Sequence, residues 1–186
     1  LAAHLLTLLG RSAAAPPSAV PRAPVHADAP LAIAAMACRF PGAADPAEFW
    51  KLLSEGRDAV GEIPASRWDV NRLFNPDPSA PGGIYTRQGG FLDAVDQFDP
   101  HFFGIAPREA AAIDPQQRLL LEIAWETLEN AAIAPDKVAG SSLGVFVGIA
   151  SGDYARLQSS PDLSRIDAYS GTGNAFSIAA GRLAYV

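Results

Sequence analysis

Cys38, the one cysteine of the chain, is the first candidate for covalent chemistry, because a thiolate is a strong nucleophile. A reactive cysteine needs its pKa lowered by a helix N-terminus or a nearby cation. Cys38 instead follows Met36 within an apolar run, which favours a buried structural thiol. A single cysteine also excludes an internal disulfide and cysteine-rich zinc sites, and it favours a reducing compartment. We therefore expect a cytoplasmic protein without a metal site.

The three histidines offer little prospect of general acid–base catalysis. His4 and His26 fall in segments outside the part of the sequence that is patterned like a packed domain. His101 follows Asp99 and Pro100 at a turn before two phenylalanines. Proton transfer requires a histidine held within hydrogen-bond reach of a reacting group, and no histidine here lies in such a pattern.

The segment 170–174 (SGTGN) could cradle a phosphate before a helix. It lacks both the Lys-Ser/Thr ending and the three-glycine fingerprint of such loops. Its pattern favours a tight turn in which Asn174 caps the last helix.

The cluster at 114–118 (DPQQR) resembles an active site only superficially. Helix capping accounts for Asp114 as the N-cap and for Gln117 at the capping-box position. Gln116 and Arg118 are then free for packing or for an interface.

Two helices have clear boundaries in the sequence. The first begins at Pro46, after the N-cap Asp45 and with Glu48 closing a capping box, and it ends before Gly56. Phe49, Trp50, Leu52 and Leu53 should form its buried face. The second runs from position 115 to about position 130 and should be buried on most sides.

Continuous apolar runs at 31–38 and 143–149 predict buried strands, as in a parallel sheet covered on both faces. The region 61–100 is rich in Pro, Gly, Asp and Asn and predicts a long loop. Strands alternating with buried helices indicate an α/β layered fold.

The chain divides at about residue 30. Residues 1–10 are patterned like the end of an amphipathic helix, and residues 11–30 form a Pro/Ala-rich linker with five prolines. No run reaches the roughly 20 apolar residues that a membrane span requires. Both ends of the sequence look like cuts, so we expect residues 31–186 to belong to a larger domain.

The charge balance argues against nucleic acid as a partner. The 20 acidic residues outnumber the 14 basic ones, for a formal net charge of −6, and the arginines are scattered. Proteins that bind nucleic acid cluster Lys and Arg to neutralise phosphates.

Several segments together resemble the ketosynthase domain of modular type I polyketide synthases, in order and in spacing, over residues 31–186. Ala35 stands where the family usually has Gly, and Ile113 where it usually has Met. The matching segments are 33–42 (IAAMACRFPG), 49–53 (FWKLL), 56–60 (GRDAV), 64–68 (PASRW), 89–92 (GGFL), 98–100 (FDP), 102–105 (FFGI), 114–122 (DPQQRLLLE), 144–148 (GVFVG), 171–174 (GTGN) and 180–186 (AGRLAYV).

The resemblance implies a thiolase-like αβαβα layered fold, present here as an incomplete N-terminal half. It implies a cysteine that accepts an acyl chain from the phosphopantetheine arm of an acyl carrier protein, and two histidines that assist decarboxylative condensation with a malonyl unit. It also implies a homodimer and a neighbouring acyltransferase domain, and no cofactor bound by the chain itself. Residues 1–10 would then be the final helix of a preceding acyl carrier protein.

In the family, the nucleophile lies shortly after the segment that ends here at Val186, so none of these residues takes a catalytic role. The resemblance instead places Thr172, Gly173, Asn174 and Phe176 near the acyl pocket and the dimer interface. Without its covering strands, the chain is expected to expose apolar faces that include Leu121 and Trp125, and to be inactive alone.

Two other interpretations stay open. The domain could be a non-catalytic ketosynthase-like scaffold for dimerisation and carrier docking, or the sequence could be a degenerate gene fragment. The residue at the nucleophile turn separates them: Cys indicates condensation, Gln a decarboxylating loading domain, and any other residue a structural role.

Overall fold

The computed structural model of the protein describes residues 30–158 and 167–186. The chain divides into two units, Leu1–Ile33 and Ala34–Val186, and almost everything described belongs to the second. The predictions for residues 1–10, for most of the 11–30 linker, and for His4 and His26 lie outside the described residues. The described elements are α1 (Pro46–Ser54), β1 (Gly61–Glu62), α2 (Val70–Leu73), β2 (Gln88–Gly89), α3 (Pro107–Ala112), α4 (Pro115–Asn130), α5 (Pro135–Val138), α6 (Asp153–Gln158), α7 (Ala168–Thr172) and α8 (Phe176–Tyr185).

Helix α1 begins and ends as the sequence predicts. The Asp45 carboxylate accepts a hydrogen bond from the Glu48 N–H at 2.8 Å, which satisfies one of the free donors of the first turn. The Glu48 carboxylate accepts from the Ala44 N–H at 2.7 Å, one residue before the N-cap. The capping box is therefore displaced by one residue from its predicted position.

The far end of α1 is a Schellman motif built on Gly56. Gly56 has a φ of +61°, and its N–H donates to the Leu53 carbonyl at 3.1 Å. The Arg57 N–H donates to the Leu52 carbonyl at 3.0 Å. This pair of bonds satisfies two helix-end carbonyls, and the left-handed backbone explains why glycine stands there.

The predicted buried face of α1 is only partly correct. Leu52 is buried and Phe49 stacks on Phe40 with ring centroids 4.2 Å apart. Trp50 and Leu53 are instead 70% and 53% exposed, because the space between them, the segment before α1 and Thr127 of α4 is not filled. They line an apolar groove of about 700 Å³.

Helix α4 carries the core. It spans the predicted residues, and Leu121 is buried at 2% exposure in a cluster with Ile105, Ala110 and Ile113. Trp125 is half-buried and meets the Phe102 ring edge to face, with centroids 4.7 Å apart. The expectation that Leu121 would be exposed is therefore wrong, because helix α3 and the turn before it cover this face of α4. Exposed apolar side chains occur instead in other parts of the described structure.

The apolar runs at 31–38 and 143–149 form no ladder with any other described segment, so both predicted strands are wrong as regular elements of this structure. Phe146 is 96% exposed and Leu143 is 61% exposed. A strand exists only when a second segment supplies its hydrogen-bond partners, and an apolar run alone cannot supply them. The described sheet is the antiparallel pair of β1 and β2, in which Gly61 faces Gly89.

The long loop predicted for 61–100 is ordered by Arg87. Its guanidinium donates to the Glu62 carboxylate at 2.7 Å and to the Asn71 side-chain oxygen at 2.9 Å. It also lies 5.2 Å from the centroid of the Phe74 ring. The side chain of Arg87, the residue directly before β2, thereby joins β1 and α2.

Arg39 attaches the segment before α1 to the middle of α4. Its guanidinium makes a two-pronged ion pair with the Glu126 carboxylate. Nearby on α4, burial raises the pKa of Glu122, and the attraction of Arg39 opposes that rise. None of the helices within residues 30–158 and 167–186 is long and apolar enough to cross a bilayer.

Replacing Gly56 by alanine should lower the free energy of unfolding by about 1 kcal/mol, because alanine is strained at positive φ. Steric overlap does not cause the expected loss of stability, since no atom lies within 4 Å of a Cβ added at Gly56. Gly61 is the matched control: an added Cβ there also meets open space, and its φ lies outside the positive range. Urea midpoints of Gly56→Ala and Gly61→Ala compare the two, and equal midpoints would contradict the assignment.

Candidate functional site

The predicted site segment 172–176 joins two helices. Helix α7 ends at Thr172, and α8 begins at Phe176 after a turn formed by Gly173, Asn174 and Ala175. The prediction of a tight turn across 170–174 is wrong, because positions 170–172 are helical.

Asp167 accounts for the helical conformation of positions 170–172 in α7. Its carboxylate accepts from the Tyr169 N–H at 2.9 Å and the Ser170 N–H at 3.2 Å, and the Ser170 hydroxyl accepts from the Asp167 N–H in return. Desolvation opposes ionisation of Asp167, but these hydrogen bonds and Arg108, 3.2 Å away, lower its pKa below the usual value. The short helix α7 is therefore fixed by a capping box.

Gly173 lies where the α7–α8 turn presses against the end of α3. A Cβ added to this buried glycine would stand 2.3 Å from the Ala112 carbonyl oxygen and 2.9 Å from the Tyr169 oxygen. The Gly173 carbonyl accepts a hydrogen bond from the Asp114 N–H at 2.9 Å. Glycine is required here by the closeness of two backbones, and its φ of −70° is ordinary.

Asn174 does not cap α8 as predicted. Its side-chain N–H₂ lies within hydrogen-bond distance of the Gln158 side-chain oxygen (2.9 Å), the Ser170 carbonyl (3.0 Å) and the Ala112 carbonyl (3.3 Å). These partners draw the side chain away from the first turn of α8, whose N-cap is Ala175 without a side-chain cap. Its oxygen is buried without a partner among the described residues.

Gln117 contacts the same turn from α4. Its side chain is buried, the residue being 2% exposed, and its N–H₂ donates to the Ala175 carbonyl at 3.3 Å. The predicted capping box with Asp114 is wrong, because the Asp114 N–H is already bonded to Gly173. Asp114 still caps α4, accepting from the Gln116 N–H at 2.8 Å.

Gln116 and Arg118, which do not take part in the predicted capping box, have defined contacts. Gln116 donates to the Ser151 carbonyl at 3.0 Å, and the Arg118 guanidinium lies 6.0 Å from the centre of the Tyr154 ring. Gln116 and Arg118 were predicted to serve packing or an interface, and these contacts agree with the packing alternative.

The C-terminal half of α8 is held by an ion pair. Arg182 donates to the Glu109 carboxylate at 2.7 Å, and its side chain is 10% exposed. A groove of about 490 Å³ runs between α7 and α8, and its wall includes Thr172, Ile178 and Arg182. Helix α8 is thus fixed at both ends.

The four predicted site residues divide into two kinds. Gly173 and Asn174 are turned into the protein and hold the turn, whereas Thr172 and Phe176 are exposed, Phe176 at 47%. Phe176 lies beside Gly152, where an added Cβ would be 3.4 Å from its ring. The two exposed side chains are the ones that can contact a ligand.

Helix α6 supplies residues that the sequence interpretation missed. The Tyr154 hydroxyl donates to the Ala111 carbonyl at 2.7 Å, and the Gln158 amide donates to the same oxygen at 3.2 Å. Both contacts join residues more than 40 positions apart, and no local sequence pattern predicts such pairs.

The other reactive side chains are not assembled for catalysis. Burial is the main cause that raises the pKa of Cys38, with a further contribution from Asp45 and an opposing one from Arg39. The thiol is therefore not activated, as predicted. The predicted burial is only partly correct, because Cys38 is half-buried and lines the apolar groove beside α1. His101 is exposed, and only its backbone N–H bonds to Asp99, at 3.0 Å. Among the described residues no group of three His, Cys, Asp or Glu side chains could hold a metal ion.

Comparison with known proteins places this arrangement in a family. The sequence pattern of the β-ketoacyl synthase N-terminal domain matches residues 28–186. The chain belongs to the β-ketoacyl synthase family.

Its relatives are large synthases. The chain is 52% identical over its whole length to the spectinabilin polyketide synthase system protein NorC of Streptomyces orinoci, of which it covers 8%. It is 50% identical, again over its whole length, to the polyketide synthase GfsA of Streptomyces halstedii, of which it covers 2%. The chain therefore spans less than a tenth of the length of either relative.

Solved structures agree on the fold. The oxazolomycin ketosynthase domain OzmH KS7 of Streptomyces albus JA3453 superposes with a TM-score of 0.73 at 41% identity, covering 82% of this chain and 27% of that one. The ketosynthase from module 6 of the bacillaene synthase of Bacillus subtilis 168 gives 0.67 at 34% identity, covering 81% and 23%. The predicted fold class is confirmed: the chain is an N-terminal part of a thiolase-like ketosynthase fold.

Replacing Gly173 by alanine should lower the free energy of unfolding by about 3 kcal/mol or more, since the added methyl would overlap the Ala112 carbonyl. Gly171, two residues earlier in helix α7, is the control, because an added Cβ there meets nothing within 4 Å. Gly171→Ala should be neutral or stabilising by up to about 1 kcal/mol. Thermal unfolding of both variants measures the difference, and a harmless Gly173→Ala would refute the close approach.

Proposed function

We propose that this chain forms part of a polyketide synthase ketosynthase that extends a carrier-bound acyl chain by decarboxylative condensation. The observation that carries the proposal is its membership in the β-ketoacyl synthase family together with about 50% identity to polyketide synthases. The match to solved ketosynthase domains supports it independently.

The chemistry has two steps. A cysteine thiolate attacks the thioester carbonyl of an acyl group on the phosphopantetheine of an acyl carrier protein, forming an enzyme thioester and releasing the carrier thiol. A malonyl-type unit on a carrier then loses carbon dioxide. The resulting carbanion equivalent attacks the enzyme thioester, so that a carbon–carbon bond forms, the carbon–sulfur bond breaks and the thiolate is regenerated.

We propose that the nucleophilic cysteine and both assisting histidines belong to polypeptide outside these 186 residues. The supporting observation is the state of Cys38, whose pKa is raised rather than lowered. His101 is exposed on the loop before α3, and its hydrogen bond to Asp99 is made by the backbone N–H, so no described contact links its imidazole to Cys38.

In this proposal, Thr172, Gly173, Asn174 and Phe176 lie near the acyl pocket and the dimer interface. Thr172 and Phe176 are both exposed, and Thr172 lines the α7–α8 groove, which supports that placement. The proposed partners are acyl carrier protein domains, a second ketosynthase copy and a neighbouring acyltransferase domain.

The intact synthase carrying Cys38→Ser should condense at the wild-type rate, because that thiol is not the nucleophile. The 186-residue chain alone should release no carbon dioxide from malonyl carrier protein. Radiolabelled carbon dioxide release and product mass spectrometry measure both. Loss of activity in Cys38→Ser, or turnover by the isolated chain, would refute the assignment, and an inactive wild-type synthase would favour the non-catalytic scaffold.

Phe176→Ala in the intact synthase should change the relative kcat/KM of short and long acyl donors by about tenfold, since filling or emptying an apolar pocket costs about 1–3 kcal/mol. Tyr85 is a matched control, because it is an exposed aromatic, at 68%, in the 61–100 loop. Competition between two acyl carrier proteins gives the ratio directly. An unchanged preference in Phe176→Ala would argue against pocket contact.

A further inference from the structure

We propose that Gln117 is a positioning residue for the acyl pocket, acting through the α7–α8 turn and not by touching substrate. The inference rests on the proposed function. It assigns to Gln117 the task of setting where Thr172 and Phe176 stand, because these two flank the turn that Gln117 contacts.

Burial of Gln117 indicates that its amide has a defined task. Gln117 and Asp114, at 2% and 4% exposure, are the buried polar residues of the described chain. Removing an amide from water is costly unless it is hydrogen-bonded. Its side-chain N–H₂ donates to the carbonyl of Ala175, the residue directly before α8, at 3.3 Å. Its side-chain oxygen is buried without a partner among the described residues.

The turn is held from two sides. On one side the Asp114 N–H bonds to the Gly173 carbonyl at 2.9 Å, and the Gly173 backbone lies too close to Ala112 to admit a Cβ. On the other side Gln117 bonds to Ala175. Both contacts come from the first turn of α4 or the residue before it, so one rigid element sets both ends of the turn.

The rest of α8 is fixed independently. The ion pair of Arg182 with Glu109 and the packing of Leu183 on the core cluster hold its C-terminal half. Loss of the Gln117 bond should therefore move the N-terminal end of α8, where Phe176 lies, and leave the rest in place. That movement changes the shape of the pocket wall without unfolding the domain.

The test uses Gln117→Met in the intact synthase, because methionine keeps the volume and removes the hydrogen bond. Two acyl donors of different length on the carrier compete for the enzyme. We expect the ratio of their kcat/KM values to change about fivefold, the effect of one hydrogen bond. Asn174→Asp, which removes donors from the same turn, should change the ratio in the same direction and covers the case of a poorly folded Gln117→Met.

Gln97→Met is the control for the type of substitution, since Gln97 is exposed on the loop before α3, and its ratio should equal that of the wild type. Melting temperature is measured for each variant. If both turn variants lower stability or slow both donors equally without changing the ratio, Gln117 is merely structural and the proposal is overturned. If the wild-type synthase condenses neither donor, the proposed function fails and this inference with it; an active wild type with unchanged ratios overturns this inference alone.

Discussion

The structure depends on one close approach, in which the backbone at Gly173 lies against the Ala112 carbonyl while Asp114 donates to the Gly173 oxygen. Ala112 ends α3 and Asp114 caps α4, so this contact fastens the C-terminal pair of helices to the two helices that form the core. Any side chain at position 173 would separate them. The half-buried amide of Asn174 and the buried amide of Gln117 then donate to fixed partners across the junction, because the two backbones are already in contact.

The residues at this junction divide into those that hold the backbone in place and those whose side chains are exposed. Gly173, Asn174 and Gln117 face inward and determine backbone positions, whereas Thr172 and Phe176 face outward on either side of the turn. In the proposed acyl-binding surface, these two exposed side chains stand on a rigid turn, which holds them in defined positions. Large apolar surfaces elsewhere, at Trp50 and Phe146, show that other faces of this part of the fold are uncovered in the described structure.

The features that could be predicted from the sequence are those that depend on interactions between residues close together in the chain. Helices α1 and α4 have the expected bounds because Asp45, Asp114 and Gly56 act within a few residues of themselves. The strands at 31–38 and 143–149 were wrong because pairing depends on distant segments. Asn174 and Gln117 were predicted to act in caps, and both instead bond across 58 to 62 positions to Ala112 and Ala175. A glycine at 173 is visible in the sequence, but its reason is visible only once Ala112 lies beside it.

Amide hydrogen exchange at Asp114 tests the central contact most directly, because this N–H donates to Gly173 and to no carbonyl of its own helix. In the folded synthase, measured on peptides covering 113–118, we expect Asp114 to be protected as strongly as the amides in the middle of α4. Exchange at the rate of the exposed loop at 93–97 would contradict the account, since the turn would then not be closed on the start of α4.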